Sequence, residues 1–249
     1  MTKRWQEVID TLAEVKPEVQ RQVSAAVMAV LELAEVYRSY GAEFNFELSG
    51  TLLDSVMELM RALSEGCLAL AERKARQILS WFSVEDPEEL LADAEAHDNP
   101  NGVLWAFDMH SSNLLKVIEV WLVIGFAKGL NTAEIHRSIM GALAAPEASR
   151  MWRDAVRSRL VDPQELRFGK GYQRRVVDAI TVLVQSIVYT SYLRGAQVEA
   201  GESGAEYYVV HRGSSFDCPY CDSRCERPTP MSEPYYPSHP RCVCWLEFV

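Results

Sequence analysis

Ahead of residue 218 the chain has one cysteine, Cys67, so no disulfide framework braces that part of it. It also lacks a long apolar run. The most hydrophobic stretch, VIEVWLVIGFA at Val117 to Ala127, falls well short of the ~20 residues that cross a bilayer and carries Glu119, so it predicts a buried helix and no membrane segment. Positive charge is in deficit: 25 Lys and Arg against 35 Asp and Glu give a net charge of −10, which argues against the basic face of a general nucleic-acid wrapper. The opening MTKRWQEVIDTLAEV places acids in its first turns and has no small-residue cleavage site, so it is not read as a secretory leader. A cytosolic setting is expected, where thiols stay reduced. Gly and Pro are too sparse, and apolar residues at 48% too many, for a disordered chain. No internal repeat or low-complexity tract is present.

What the chain does have is helical periodicity. Trp5, Val8, Ile9, Leu12 and Val15 recur at three- and four-residue intervals. Pro17 is expected to break or restart that helix, which then continues through Val19, Val23, Val27 and Val30 to about Tyr40, with Gly41 suited to close it. Leu52 to Phe82 is helical by the same test. Asp86 can cap a short helix with Pro87 in its first position, and Val103 to Lys128 reads as one long buried helix ended by Gly129. Asn131 and Glu134 have the spacing at which a cap and the third helical residue satisfy each other's backbone amides. Pro146 is expected to start a further helix that carries Trp152, and a last long one runs from about Tyr172 to Val198. Trp105, Trp121 and Trp152 sit among apolar helical positions and are assigned to core packing. Near Gly201 the period changes, and the β-prone YYVVH follows.

Five of the six cysteines fall in the last thirty-two residues, in DCPYCDSRC and HPRCVC. Cys218 and Cys221 form a C-x-x-C pair whose tight turn can aim both sulfurs at one ion. His239, Cys242 and Cys244 offer the other half of a tetrahedral site, with the two sulfurs of C-x-C on one side of an extended strand. Cys225 is left as a spare. Thiolate and imidazole donors favour zinc or iron over hard ions, and a closed structural zinc held by Cys218 and Cys221 with two of His239, Cys242 and Cys244 is the preferred reading. Paired disulfides or a metal-free thiol cluster are the alternatives. Six prolines and few aliphatic side chains after Phe216 suggest that a metal supplies much of this segment's folding free energy. A thioredoxin-like dithiol is disfavoured because C-x-x-C here precedes a proline-rich loop rather than opening a helix after a strand.

In the order GLNTAEIHRSI, a long helix, EYYVVH, FDCPYC, a proline-rich spacer and HPRCVC, the chain resembles the C-terminal domain of Mu F-like head-morphogenesis proteins, the minor capsid proteins of tailed bacteriophages and prophages. The resemblance runs from about Val103 to Val249 and is carried by Cys218, Cys221, His239, Pro240, Cys242 and Cys244. It departs from the family in the long helix: where relatives commonly carry A-R-T-E, this chain has VYTS at Val188 to Ser191 and keeps only Thr190. It implies a portal-associated, low-copy or oligomeric structural protein of the phage head, acting in head assembly, DNA packaging or ejection. It further implies portal and capsid proteins as partners, residence in the virion, and the host cytoplasm during assembly. Some relatives carry a toxin or ADP-ribosyltransferase domain after the cysteine motif, and none is expected here.

The expected architecture is mainly α: an N-terminal helical region at 1–102, the helical part of a Mu F-like domain at 103–200, and a β and Cys-rich zinc-binding element at 201–249 with a β-hairpin or zinc-knuckle-like form. The one compact basic cluster, Lys170, Arg174 and Arg175, could touch packaged DNA, although a solvated helix start is the plainer reading. GKG at Gly169 lacks the rest of any phosphate-binding fingerprint. His110 and His136 have no partners at metal spacing, His97 adjoins a turn, and His211 ends the apolar YYVV. No enzyme is expected: Glu226 and Glu233 are catalytic-base candidates by proximity alone. The alternative reading is a host-side zinc-containing protein- or nucleic-acid-binding module derived from a prophage.

Overall fold

The computed structural model describes residues 3–96, 102–144, 154, 157–158, 176–213, 218–237, 242 and 244–249. Seven α-helices and three strands appear among these residues: α1 Lys3–Ala34, α2 Gly50–Leu79, α3 Pro87–Ala96, α4 Val103–Ala127, α5 Thr132–Ala144, α6 Val176–Glu202, β1 Tyr207–His211, α7 Pro219–Asp222, β2 Pro228–Pro230 and β3 Trp245–Phe248. The protein is therefore mainly helical with a small C-terminal sheet. Of the expected helix from Pro146 only Asp154, Arg157 and Ser158 are described, with the Ser158 N–H donating to the Asp154 carbonyl at 3.0 Å; Trp152, His97 and the basic cluster lie outside the described residues.

Pro17 does not break α1, contrary to expectation. A proline inside a helix costs ~3 kcal/mol or more, yet Val8, Val15, Val19, Val23, Val27 and Val30 are completely buried along one face. At ~1.5–3 kcal/mol for each fully buried side chain, that stripe outweighs the lost hydrogen bond. The α-helix tightens after Ala34 into a 3-10 segment, Glu35–Glu43, and Gly41 takes a φ of 56° there. Both helix starts were legible as capping motifs. The Glu89 N–H donates to the Asp86 carboxylate at 3.0 Å. The Asn131 N–H donates to Glu134 at 2.8 Å while the Glu134 N–H donates to the Asn131 side chain at 3.0 Å.

The chain divides into two compact units, each assembled from separated segments. One comprises Lys16–Cys67 and Ala106–Thr181. Its core gathers Val19, Val23 and Val27 of α1, Val56 and Met60 of α2, Leu114, Ile118 and Trp121 of α4, and Ile135 and Ile139 of α5. Phe44 packs edge-on against Phe46 and Phe126, and the Glu119 carboxylate accepts the Phe46 N–H at 2.8 Å. His136 is satisfied by Ser24 at 3.1 Å.

The other unit comprises Met1–Val15, Leu68–Trp105 and Val182–Val249. Trp5 lies against Tyr189 and Tyr192 of α6, and Phe82 against Tyr192. Trp105 is 51% exposed, so its assignment to the core is corrected, whereas Trp121 is buried. Helix α6 is long and apolar enough to cross a membrane, but 72% of its apolar window is buried within the protein, as in a core helix. The sheet has the order β2-β1-β3 with both pairings antiparallel, which extends the expected hairpin by a third strand. Tyr208 and Val210 point from β1 into the core and are 1% and 2% exposed. The prolines of β2 fit an edge strand, where a missing N–H is tolerated.

A close approach on α6 tests this packing. A Cβ at Gly195 would lie 2.6 Å from Cδ2 of Phe82, whereas one at Gly201 would meet only Cε of Met231 at 3.5 Å. Gly195→Ala is expected to destabilise by about 1–3 kcal/mol through overpacking, and Gly201→Ala to be neutral or stabilising by up to ~1 kcal/mol from helix propensity. Urea denaturation of the two variants reads both, and an equally stable Gly195→Ala protein would contradict the Phe82 contact.

Candidate metal centre

The cysteine turn is built by local hydrogen bonding. Pro219 opens α7 after Cys218, which has extended backbone, and Cys221 sits in its single turn. The Cys225 N–H donates to the Cys221 carbonyl at 3.0 Å, so Cys218, Cys221 and Cys225 follow one another at helical spacing on one side of the turn. The turn is stitched to the sheet: Val210 and Cys225 form an isolated parallel bridge, and the Glu226 N–H donates to the Val210 carbonyl at 3.0 Å. Cys242 and Cys244 enter from the segment that becomes β3.

Cys221, Cys242 and Cys244 come together with their sulfurs all within 4.8 Å of one another. The Cys221 and Cys242 sulfurs are 3.8 Å apart. The three residues are only 3–4% exposed, and all six cysteines are free thiols. Cys218 is half-buried and hydrogen-bonded to Cys221. Cys225, assigned no role from the sequence, is 9% exposed and shares a hydrogen bond with Cys244. His239 lies outside the described residues.

Electrostatics explain why such a cluster suits a cation. Burial, followed by the hydrogen bond of Cys218 and the charge and hydrogen bond of Cys242, raises the Cys221 pKa against a lowering by Cys244. Cys244 is raised first by its hydrogen bond with Cys242 and then by burial. Neighbouring thiols thus resist ionising together, and a bound metal reverses that preference by binding the deprotonated sulfurs. Two further features fit a loaded site. The Gly213 backbone donates to the Cys244 sulfur, an interaction that favours thiolate. The Tyr235 hydroxyl is buried without a hydrogen-bond partner among the described residues and lies within electrostatic reach of Cys242 and Cys244. An orphaned buried hydroxyl costs about 1–3 kcal/mol, and anionic sulfur nearby is a far stronger acceptor than a neutral thiol.

Helix α6 positions the segment carrying these residues. The Tyr189 hydroxyl donates to the Cys244 carbonyl at 2.6 Å. Gln197, 2% exposed, uses its whole amide: Nε2 donates to the carbonyls of Met231 and Glu233, and Oε1 accepts from the Tyr235 N–H and from Arg194. Asp93 of α3 accepts from the Tyr236 hydroxyl at 3.0 Å. The sequence signalled none of these anchors, because polar residues inside a helical apolar pattern have no distinctive spacing. Cys225 did carry a signal, its i, i+4 relation to Cys221. Glu226, considered above as a base, is engaged with His211.

Compared with family models, curated proteins and solved structures, the chain matches none.

His211 bridges two acids on the sheet: Nδ1 is 3.1 Å from Glu226 and Nε2 is 2.7 Å from Glu247, and its ring stacks on Trp245 at 4.3 Å. Desolvation opposes its charge, but the hydrogen bonds of Glu247 and Glu226 outweigh it and raise its pKa. A raised folded-state pKa contributes stability that is fully present below the ordinary value of ~6.5 and is lost as pH rises through the raised one. In chelator-treated protein, the stability gap between wild type and His211→Gln is expected to be largest in mild acid and to shrink on the alkaline side. Denaturant melts across pH measure it, and a pH-independent gap would contradict the ion-pair account.

Proposed function

We propose that this chain is a structural, non-enzymatic protein whose C-terminal sheet and cysteine turn are locked by one zinc ion. We further propose that it serves as a portal-associated minor capsid or head-morphogenesis protein of a tailed phage or prophage. The observation that carries the metal reading is the convergence of three buried thiols from C-x-x-C and C-x-C. Their sulfur chemistry suits zinc, and their burial suits a closed structural site better than a catalytic one with an open position. The assembly reading rests on the motif resemblance, with Cys218, Cys221, Cys242 and Cys244 as its described members and His239 as a further candidate ligand. Portal and capsid proteins are the proposed partners, and packaged DNA a further contact of Lys170, Arg174 and Arg175.

Native mass spectrometry of protein purified without chelator or metal resin tests the metal. One zinc, lost on acid denaturation, is the expected result; a metal-free mass lowered by the hydrogens of disulfides would refute it. Tyr235→Phe should leave the metal-free protein as stable or more stable, since an orphaned hydroxyl is removed, yet weaken zinc binding by ~10–100-fold, the usual cost of losing an outer-sphere partner. Competition with a zinc chelator reads the affinity, and equal affinities would detach Tyr235 from the site. For the assembly role, deleting the gene from an inducible prophage should yield defective or empty heads by electron microscopy. Normal DNA-filled heads without the protein would exclude that role.

A further inference from the structure

We propose that Cys221 and Cys242 form a reversible modification site in the metal-free protein, where hydrogen peroxide joins them in an internal disulfide that excludes metal until it is reduced. The exclusion of metal rests on the metal reading above, whereas the pairing stands on geometry alone. The two sulfurs are free and 3.8 Å apart. That is contact distance for two thiols, against the ~2.05 Å of a disulfide, so a small rotation of the side chains or shift of the turn has little left to cover. Cys218 also touches Cys221, and the two pairings differ in what they would tie together. A bond to Cys218 would close a loop inside the cysteine turn itself. A bond to Cys242 joins residues twenty-one positions apart and fastens the turn to the segment that becomes β3. Cross-links that close longer loops restrict the unfolded chain more, so this pairing is the one retained where disulfides can exchange.

Burial selects the oxidant. Cys221 and Cys242 are each 4% exposed, which shields them from bulky disulfides and from other protein chains and leaves a small molecule such as peroxide as the reagent that fits. In the first step the peroxide O–O bond breaks, one sulfur takes an oxygen to become a sulfenic acid, and water leaves. In the second, the other sulfur attacks the sulfenic sulfur: the S–S bond forms, the S–O bond breaks, and the hydroxyl departs as water with the second thiol's proton. The two thiols lose two electrons and two protons, and one peroxide becomes two waters. Because the fold already holds the second sulfur at contact, this step is intramolecular and outpaces further oxidation to sulfinic acid. Cys244 remains a thiol beside the new bond. The cluster then offers one donor thiol where Cys221, Cys242 and Cys244 had offered three, and a thiol reductant restores them.

The test needs no variant. The full chain, reduced and stripped of metal by chelator, is treated with hydrogen peroxide, denatured in an alkylating agent, and mapped by mass spectrometry without reduction. The expected product is lower in mass by two hydrogens before alkylation, yields a linked peptide pair carrying Cys221 and Cys242, and shows Cys244 alkylated. Zinc titration of the same sample against a competing chelator should show affinity reduced by more than the ~10–100-fold attached to outer-sphere partners, with recovery after a phosphine reductant. A bond from Cys221 to Cys218 or Cys244, or a sulfinic acid in place of a disulfide, would overturn the pairing and leave the metal reading standing. Undiminished zinc affinity in the cross-linked protein would overturn the exclusion of metal. Reduced wild type that binds no zinc yet forms the Cys221 to Cys242 bond would overturn the metal reading and support the pairing by itself.

Discussion

Three sulfurs crowded within 4.8 Å are the constraint on which the C-terminal part of this protein turns. Protonated, they pack as small apolar groups and hold nothing together strongly. Ionised without a cation, they would repel in a poorly solvated site. Only a bound metal makes the arrangement strongly cohesive, and it does so by displacing protons, so metal affinity and acidity are linked from the outset. Everything around the cluster, from the one-turn helix α7 to the bridge between Val210 and Cys225, serves to bring those sulfurs to one point.

A metal in this cluster would nevertheless not be the sole fastening. Composition alone suggested that the proline-rich tail lacks a core of its own, but Tyr208 and Tyr235 are both 1% exposed and meet edge-on at 5.9 Å. Gln197 holds Met231, Glu233 and Tyr235 from α6 whatever the metal does. Labour is divided accordingly: buried tyrosines and one saturated amide dock the loop, and the thiols fix the turn and the approach to β3. Such a design would confine the effect of losing a metal from the cluster to the cysteine turn and its neighbours.

Helices and their caps were readable because periodicity and capping chemistry are local. Asp86, Asn131 and Gly41 behave as their residue types dictate. Pro17 was misread for the complementary reason: its local cost is overridden by a valine stripe whose burial depends on partners far away in sequence. Trp105 shows the same limit in reverse, since its spacing suits a core that tertiary packing does not provide. At the site, the C-x-x-C and C-x-C motifs located the cluster, while the burial of Cys225 against β1 was not legible, because it goes with a left-handed residue at Glu226, where nothing in the residue type foretells positive φ.

The unit that carries the five C-terminal cysteines begins with Met1–Val15 and is completed only by Val182–Val249. Trp5 must therefore wait for Tyr189 and Tyr192, and the N-terminal turns of α1 emerge from the ribosome long before their packing partners exist. Contacts of such sequence separation slow folding, and an exposed apolar stripe in the interval invites association with other chains or with chaperones. Nascent fragments ending before Val182 would carry Trp5 without the rings of Tyr189 and Tyr192, which makes this first stretch of α1 a place where quality control would engage an incomplete chain.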